Sequence, residues 1–185
     1  MRGDLEAARA MFERALAIRE KAFGPRHRKV ASIHNNLGVL HRHRGDGEAA
    51  LASLRHAEEM LAELAGDDQP ATAMARHTLA EILVKRGELA EAERLAGLAL
   101  LAKQRSFGPT HARTADTLAV LGTISAAQGE NGEASERLEQ ALALWRENPP
   151  KNDIVGAEAL GNLALVRNAE GRHAEAEALF DEAIP

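Results

Sequence analysis

The chain repeats itself every 42 residues without insertion or deletion, and this constrains its fold more than any other feature. Gly stands at 3, 45, 87, 129 and 171. Ala stands at 8, 50, 92, 134 and 176, and again at 15, 57, 99, 141 and 183. Leu37, Leu79, Leu121 and Leu163 form a further column, as do Ala31, Ala73, Ala115 and Ala157. Gly24, Gly66 and Gly108 form another, with Pro150 in the fourth place. A period of this length marks a solenoid, in which each unit buries its apolar face only against its neighbours.

One unit reads as two helices. Val30, Ile33, Leu37, Leu40 and His41 fall at helical spacing. Gly45 then offers the left-handed residue that ends a helix, and Asp46 is expected to cap the next one. That helix is predicted over 47–64, with Ala50, Leu51, Leu54, Ala57, Leu61 and Leu64 on one stripe. Gly66-Asp67-Asp68-Gln69-Pro70 breaks it, and Pro70 suits the first turn of the helix that follows. The same pattern predicts helices at about 71–85, 88–105, 112–127, 131–146, 153–169 and 173–184, preceded by an unpaired one at 4–22. The predicted fold is all-α. It is a single array over 1–185, with a partial repeat at 4–22 and repeats at about 29–64, 71–105, 112–146 and 153–184, about four and a half in all. The Gly and Ala columns are expected where helix backbones cross closely. A change such as Ala92→Leu would then overpack the crossing at a cost of ~1–3 kcal/mol.

Composition narrows the function classes. Aromatic residues are 3% of the chain and Tyr is absent, so the core must be Ala and Leu at short helix–helix distances. The absence of Cys excludes disulfides, thiolate nucleophiles and Cys-based metal sites. No run of 18 apolar residues and no secretory apolar stretch is present, so a cytoplasmic protein with no membrane partner is expected. The net charge of −5 is uneven. Residues 1–44 hold ten Lys/Arg against four Asp/Glu, and the remainder holds 13 against 24. The basic end has no interleaved aromatics and no recognised binding motif, so no nucleic-acid partner is expected.

The spacing within the unit carries a resemblance. His34-x2-Leu37-Gly38-x2-His41 stands where tetratricopeptide repeats have Trp, Leu, Gly and Tyr. Ala50-x3-Leu54 and Ala176-x3-Phe180 stand for that family's Ala-x3-Phe. Its Pro after the second helix is missing, with Ala62 in that place. The longer unit is similar to the 42-residue repeats of kinesin light chain. Phe23-Gly24-Pro25-Arg26-His27 and Phe107-Gly108-Pro109-Thr110-His111 look like the junction of those repeats, and Asn35-Asn36-Leu37-Gly38 and Gly161-Asn162-Leu163-Ala164 like their Asn-Leu-Ala segment. The resemblance covers nearly the whole chain.

It implies an α-α superhelix whose concave face is lined by the first helix of each pair, and a role as a protein–protein interaction scaffold. The family's groove positions fall on Ser32, Asn35, Asn36, Val39, Arg42 and His43, then on Met74, His77, Thr78, Glu81, Val84 and Lys85. They continue on Asp116, Ala119, Val120, Thr123, Ala126 and Ala127, then on Glu158, Gly161, Asn162, Leu165, Asn168 and Ala169. Asn36 and Asn162 would clamp the backbone of an extended peptide, since an amide side chain both donates and accepts. Val39, Met74, Val120 and Leu165 would take apolar side chains, and Arg42, His43 and Lys85 an acidic one. The expected ligand is thus a mixed apolar and acidic peptide. The mode that grips C-terminal carboxylates of chaperones is excluded, because neither repeat frame supplies the cations it needs. The alternatives are a structural segment of a longer array, end-to-end self-association, since neither end has a recognisable polar capping helix, and a regulatory module of a larger signalling protein.

No enzyme, cofactor or metal site is expected. His34 and His41 occupy packing positions, and His41 and His43 point to different helix faces. Ser106, His111 and Asp116 have the residue types of a hydrolase triad, but His111 shares a loop column with His27 and no Gly-x-Ser-x-Gly elbow exists. No phosphate loop or dinucleotide fingerprint is present.

Overall fold

The computed structural model describes residues 2–147 and 154–183. Pro150, the predicted repeat start at 153 and the last residues, 184–185, lie outside them. The described residues form nine α-helices: α1 (Arg2–Phe23), α2 (Arg28–Arg44), α3 (Gly47–Ala65), α4 (Pro70–Arg86), α5 (Leu89–Phe107), α6 (Ala112–Gln128), α7 (Asn131–Glu147), α8 (Ile154–Ala169) and α9 (His173–Ala183). Helices α2 and α3, α4 and α5, α6 and α7, and α8 and α9 pack as antiparallel pairs, and each pair packs on the next. The even-numbered helices also touch one another in sequence, α2 on α4, α4 on α6 and α6 on α8. Among the described residues the odd-numbered helices stand further apart and meet through long side chains, Arg55 of α3 with Glu91 of α5 and Arg146 of α7 with Glu182 of α9. The even helices therefore form the tight inner wall of a curved stack, and the odd helices its outer wall.

The Ala columns work by close packing. Ala50, Ala92 and Ala134, and likewise Ala57, Ala99 and Ala141, are fully buried. The Gly column at 45, 87 and 129 ends helices, as expected for Gly45, but does not mark crossings. Gly45, Gly87 and Gly129 have φ of 81°, 75° and 82°, and a Cβ on any of them would meet nothing within 4 Å. They are left-handed helix stops, not crossing points. Close approach falls instead on Gly38 and Gly122. A Cβ at Gly122 would lie 2.6 Å from Leu138 Cγ, and one at Gly38 would collide with Leu54. The equivalent pair in the second repeat is Ala80 with Ala96, both fully buried. Across the first three full repeats the column thus has two solutions, a Gly facing a Leu or an Ala facing an Ala, and the fourth repeat holds Ala164 and Phe180 at these places.

The helix starts also correct one expectation. Asp46 occupies the N-cap of α3 but makes no capping hydrogen bond. Its carboxylate instead takes Arg44 Nε at 3.0 Å. Caps appear at His27 and His111, where the ring Nδ1 accepts the backbone N–H of Lys29 and of Arg113, each at 3.1 Å. Phe23 stacks on His27 with Lys29 over its ring, and Phe107 packs on His111 with Arg113 over its ring. The repeated Phe-Gly-Pro-x-His segment is therefore a capping device.

Helix α1 is the exception to pairing. The other second helices rest most of their apolar face on their own first helix, with Leu64, Leu101 and Phe180 left partly exposed. Met11 and Ile18 on α1 are 72% and 59% exposed. Among the described residues, no helix is long and apolar enough to cross a membrane.

Candidate functional site

The inner wall carries a continuous depression across α4, α6 and α8. Its upper part is a cavity of about 290 Å³ lined by Glu81, Val84 and Lys85 of α4, Val120 and Thr123 of α6, and Glu158 and Asn162 of α8. A deeper recess of about 120 Å³ shares Glu81, Val120, Thr123, Glu158 and Asn162, and adds His77, Asp116, Ala119 and Ala159. Three successive first helices supply one surface because each offers the same face one repeat later.

Of the residues predicted for the groove, His77, Glu81, Lys85, Asp116, Val120, Glu158 and Asn162 come together in these cavities. The α2 residues stand beside them. Asn36 and His43 are exposed, and Asn35 and Val39 are half-buried. Asn35 holds its carbonyl oxygen buried without a hydrogen-bond partner. Arg42 reaches across to pair with Glu81, so it is already engaged. Thr78 is packed inside, its hydroxyl donating to the Met74 carbonyl at 3.1 Å. Met74 is half-buried, and Leu165 is 60% exposed further along α8. Asn162 Nδ2 donates to Thr123 Oγ1 at 2.9 Å, which leaves its second N–H and its carbonyl oxygen for a ligand.

The floor rests on a polar network that the repeat pattern did not reveal. Lys103 of α5 is 2% exposed. It lies beneath α4 and α6, and its Nζ donates to Thr117 Oγ1 at 2.7 Å. Thr117 Oγ1 lies 3.2 Å from His77 Nδ1. An ammonium has three N–H donors to satisfy, and only this one hydrogen bond is made by Lys103 among the described residues. Burial accordingly pulls its pKa down to about 8. Burial, reinforced by Lys103 and Arg42, also holds His77 well below the ordinary imidazole value, so its ring is neutral. Glu81 and Asp116 are both pushed above the usual carboxylate range by burial, against the pull of Arg42 and Lys103 respectively. Asp116 Oδ1 accepts Trp145 Nε1–H at 3.2 Å. Lys103 and Trp145 share the 42-residue column that holds Leu61. A Lys between Leu61 and Trp145, in a column that opens with Arg19, was the signal available in the sequence.

The histidines form no cluster. His34 meets His56 edge-on, with ring centroids 4.6 Å apart, and no group of three His, Cys, Asp or Glu suited to a metal ion exists among the described residues.

The tetratricopeptide repeat sequence profile matches residues 1–63, 29–100 and 71–147 in overlapping sets, and a second profile of the same description matches 120–185. The chain belongs to the tetratricopeptide repeat family. Its structural neighbours are kinesin light chain-like tetratricopeptide proteins. BtubC (BKLC) from P. vanneervenii superposes with a TM-score of 0.84 at 24% identity, covering 98% of this chain and 72% of the other. Two structures of the nearly identical repeats of a Podosopora anserina kinesin light chain-like protein give TM-scores of 0.77 and 0.75 at 21% identity, covering 98% of this chain and 86% of theirs. At such identities the likeness speaks for the fold of this tetratricopeptide array. The family is generally a protein-interaction module, and its fold is typically non-catalytic.

Proposed function

We propose that the chain is a non-catalytic adaptor that holds an extended segment of a partner protein in the groove across α2, α4, α6 and α8. The observation that carries this reading is one cavity fed by three successive first helices, with hydrogen-bonding capacity left over at Asn162. An extended segment offers unpaired backbone N–H and C=O groups along its length, and amide side chains can meet both kinds. Asn36 and Asn162 are the backbone clamps of this reading. Val39, Met74, Val120 and Leu165 take apolar side chains, and the exposed His43 and Lys85 an acidic one. Arg42 supports the site indirectly, by holding Glu81 in place.

A second reading rests on α1. Its exposed Met11 and Ile18 favour a contact there with a further helix or a second copy, in keeping with a segment of a longer array or a module of a larger protein. The two readings separate by affinity capture from a host lysate with mass-spectrometric readout, using the wild type, Asn36→Ala/Asn162→Ala and Met11→Glu/Ile18→Glu. The groove reading expects a partner lost only in the Asn variant. Loss only in the α1 variant, with capture of the chain itself, would replace it.

A further inference from the structure

We infer that the α4–α8 stretch of the groove reads charge order along the bound segment. It seats an apolar side chain on Val84 and Val120, with an acidic side chain on the Lys85 side and a basic one on the Glu158 side. This rests on the groove reading above and adds a basic residue to a ligand so far described as apolar and acidic.

The inference comes from asking which charged groups in the cavity are still free. Three carboxylates line it. Glu81 is taken by Arg42, which reaches over from α2. Asp116 accepts the Trp145 indole N–H and faces the buried Lys103. Glu158 is exposed on α8 and has no hydrogen bond or ion pair among the described residues. Its charge acts on Glu81, adding to the upward push on that carboxyl, so a cation placed there would relieve a repulsion as well as gain an attraction. Lys85 is the mirror case. It stands exposed on the α4 side of the same cavity and makes no ion pair among the described residues, though its charge also pulls on Glu81 one turn earlier. Between the two lie Val84 and Val120, which offer only apolar surface. The neutral His77 in the recess does not oppose an arriving cation. Asn162, four residues after Glu158 on the same face of α8, has a carbonyl oxygen that can accept a guanidinium or ammonium N–H.

The test is a random peptide display library panned on the full chain and, in parallel, on Lys85→Glu, Glu158→Lys and Asn162→Ala. Peptides selected on the wild type are then measured by titration calorimetry. Lys85 and Glu158 are exposed, so their variants should keep the wild-type thermal midpoint. Selected peptides should carry a base and an acid flanking an apolar residue. They should lose about tenfold or more in affinity for Glu158→Lys, and regain it when their own basic residue is changed to Glu. Peptides weakened by Asn162→Ala but indifferent to Glu158→Lys would overturn the charge order and leave the groove reading standing. If no selected peptide responds to Asn162→Ala, Lys85→Glu or Glu158→Lys, the groove reading falls together with this one.

Discussion

The junction between the first two full repeats and the junction between the second and third occupy equivalent places but bury their polar groups at different positions. The first buries Arg76, paired with Glu58 and Asp67, where the second has Leu118, and one step away the contrast reverses. At the first, Leu61 of α3 is 2% exposed and sits in an apolar cluster with Val30, Ala31, Met60 and Ala75. At the second, the residues 42 places on are Lys103 and Thr117 in place of Leu61 and Ala75. Both pairs are buried. The apolar pair gains from leaving water, at roughly 25 cal/mol per Å². The polar pair must overcome desolvation with the hydrogen bonds of Thr117 to Lys103 and His77 and the attraction of Asp116 and Glu81 for the ammonium. Replacing such buried charges with apolar groups is often neutral or stabilising. The second junction lies directly under the groove floor, in contact through Thr117 with His77. The buried Lys103 and Thr117 thus break the apolar packing rule next to the candidate site, a pattern common at functional sites.

The largest effect should come from forcing the second chemistry onto the first junction. Leu61→Lys places an ammonium opposite Ala75, which cannot accept a hydrogen bond, and should cost about 3–5 kcal/mol, the range for an uncompensated buried charge. Urea unfolding followed by circular dichroism measures it, and Leu61→Lys/Ala75→Thr should recover part of the loss.

The reverse graft sharpens the same comparison. Lys103→Leu/Thr117→Ala copies the first junction into the second and should stabilise the fold, within the ~1–4 kcal/mol seen when buried charges give way to packed apolar groups. It should also remove a pH dependence. Above about pH 10.5 the Lys103 amine is neutral whether the chain is folded or not. Between there and about pH 8 the unfolded chain takes up a proton that the folded chain refuses, so stability falls as the pH is lowered through this window and is flat below it. The full drop corresponds to ~3 kcal/mol. The difference between wild type and the double variant, measured from pH 7.5 to 10.5, isolates it from other titrations.

A smaller effect concerns the two solutions that the first three full repeats use in the crossing column. Gly38→Ala should collide with Leu54 and cost ~1–3 kcal/mol by overpacking. In Gly38→Ala/Leu54→Ala, which copies the Ala80 and Ala96 arrangement, that overpacking term should vanish, as a double-mutant cycle will show.

The smallest concerns the loops. His111→Ala removes a capping acceptor and should lower stability by ~1 kcal/mol. Gln69 holds the same place before α4 but makes no capping bond, so Gln69→Ala should change little.

Much of this was legible before the structure. The 42-residue columns carried the helix pairs, and the buried Ala columns carried their close packing, because a small residue repeated at one helical position has few other physical reasons. The groove was legible by position, since His77, Glu81, Lys85, Asp116, Val120, Glu158 and Asn162 line one surface. Its chemistry was less so. Arg42 looked available to a ligand, but the partner that occupies it lies 39 residues away on the first helix of the next repeat. Periodicity assigns a face to each residue and says nothing about which charges meet across it. Lys103 was missed because a Lys on a second helix reads as solvated surface unless its column is compared with Leu61 and Trp145. Asp46 was misread for a similar reason, since its neighbour Arg44 competes for the carboxylate that would have capped α3.

The central claim is that a partner lies in the concave groove. A photo-crosslinking amino acid placed at Val120 in the groove, and separately at the exposed Glu136 on the outer helix α7, tests it in the host cell. The account predicts a discrete crosslinked partner from position 120 and none from position 136. Adducts from position 136 alone, or equally from both, would contradict it.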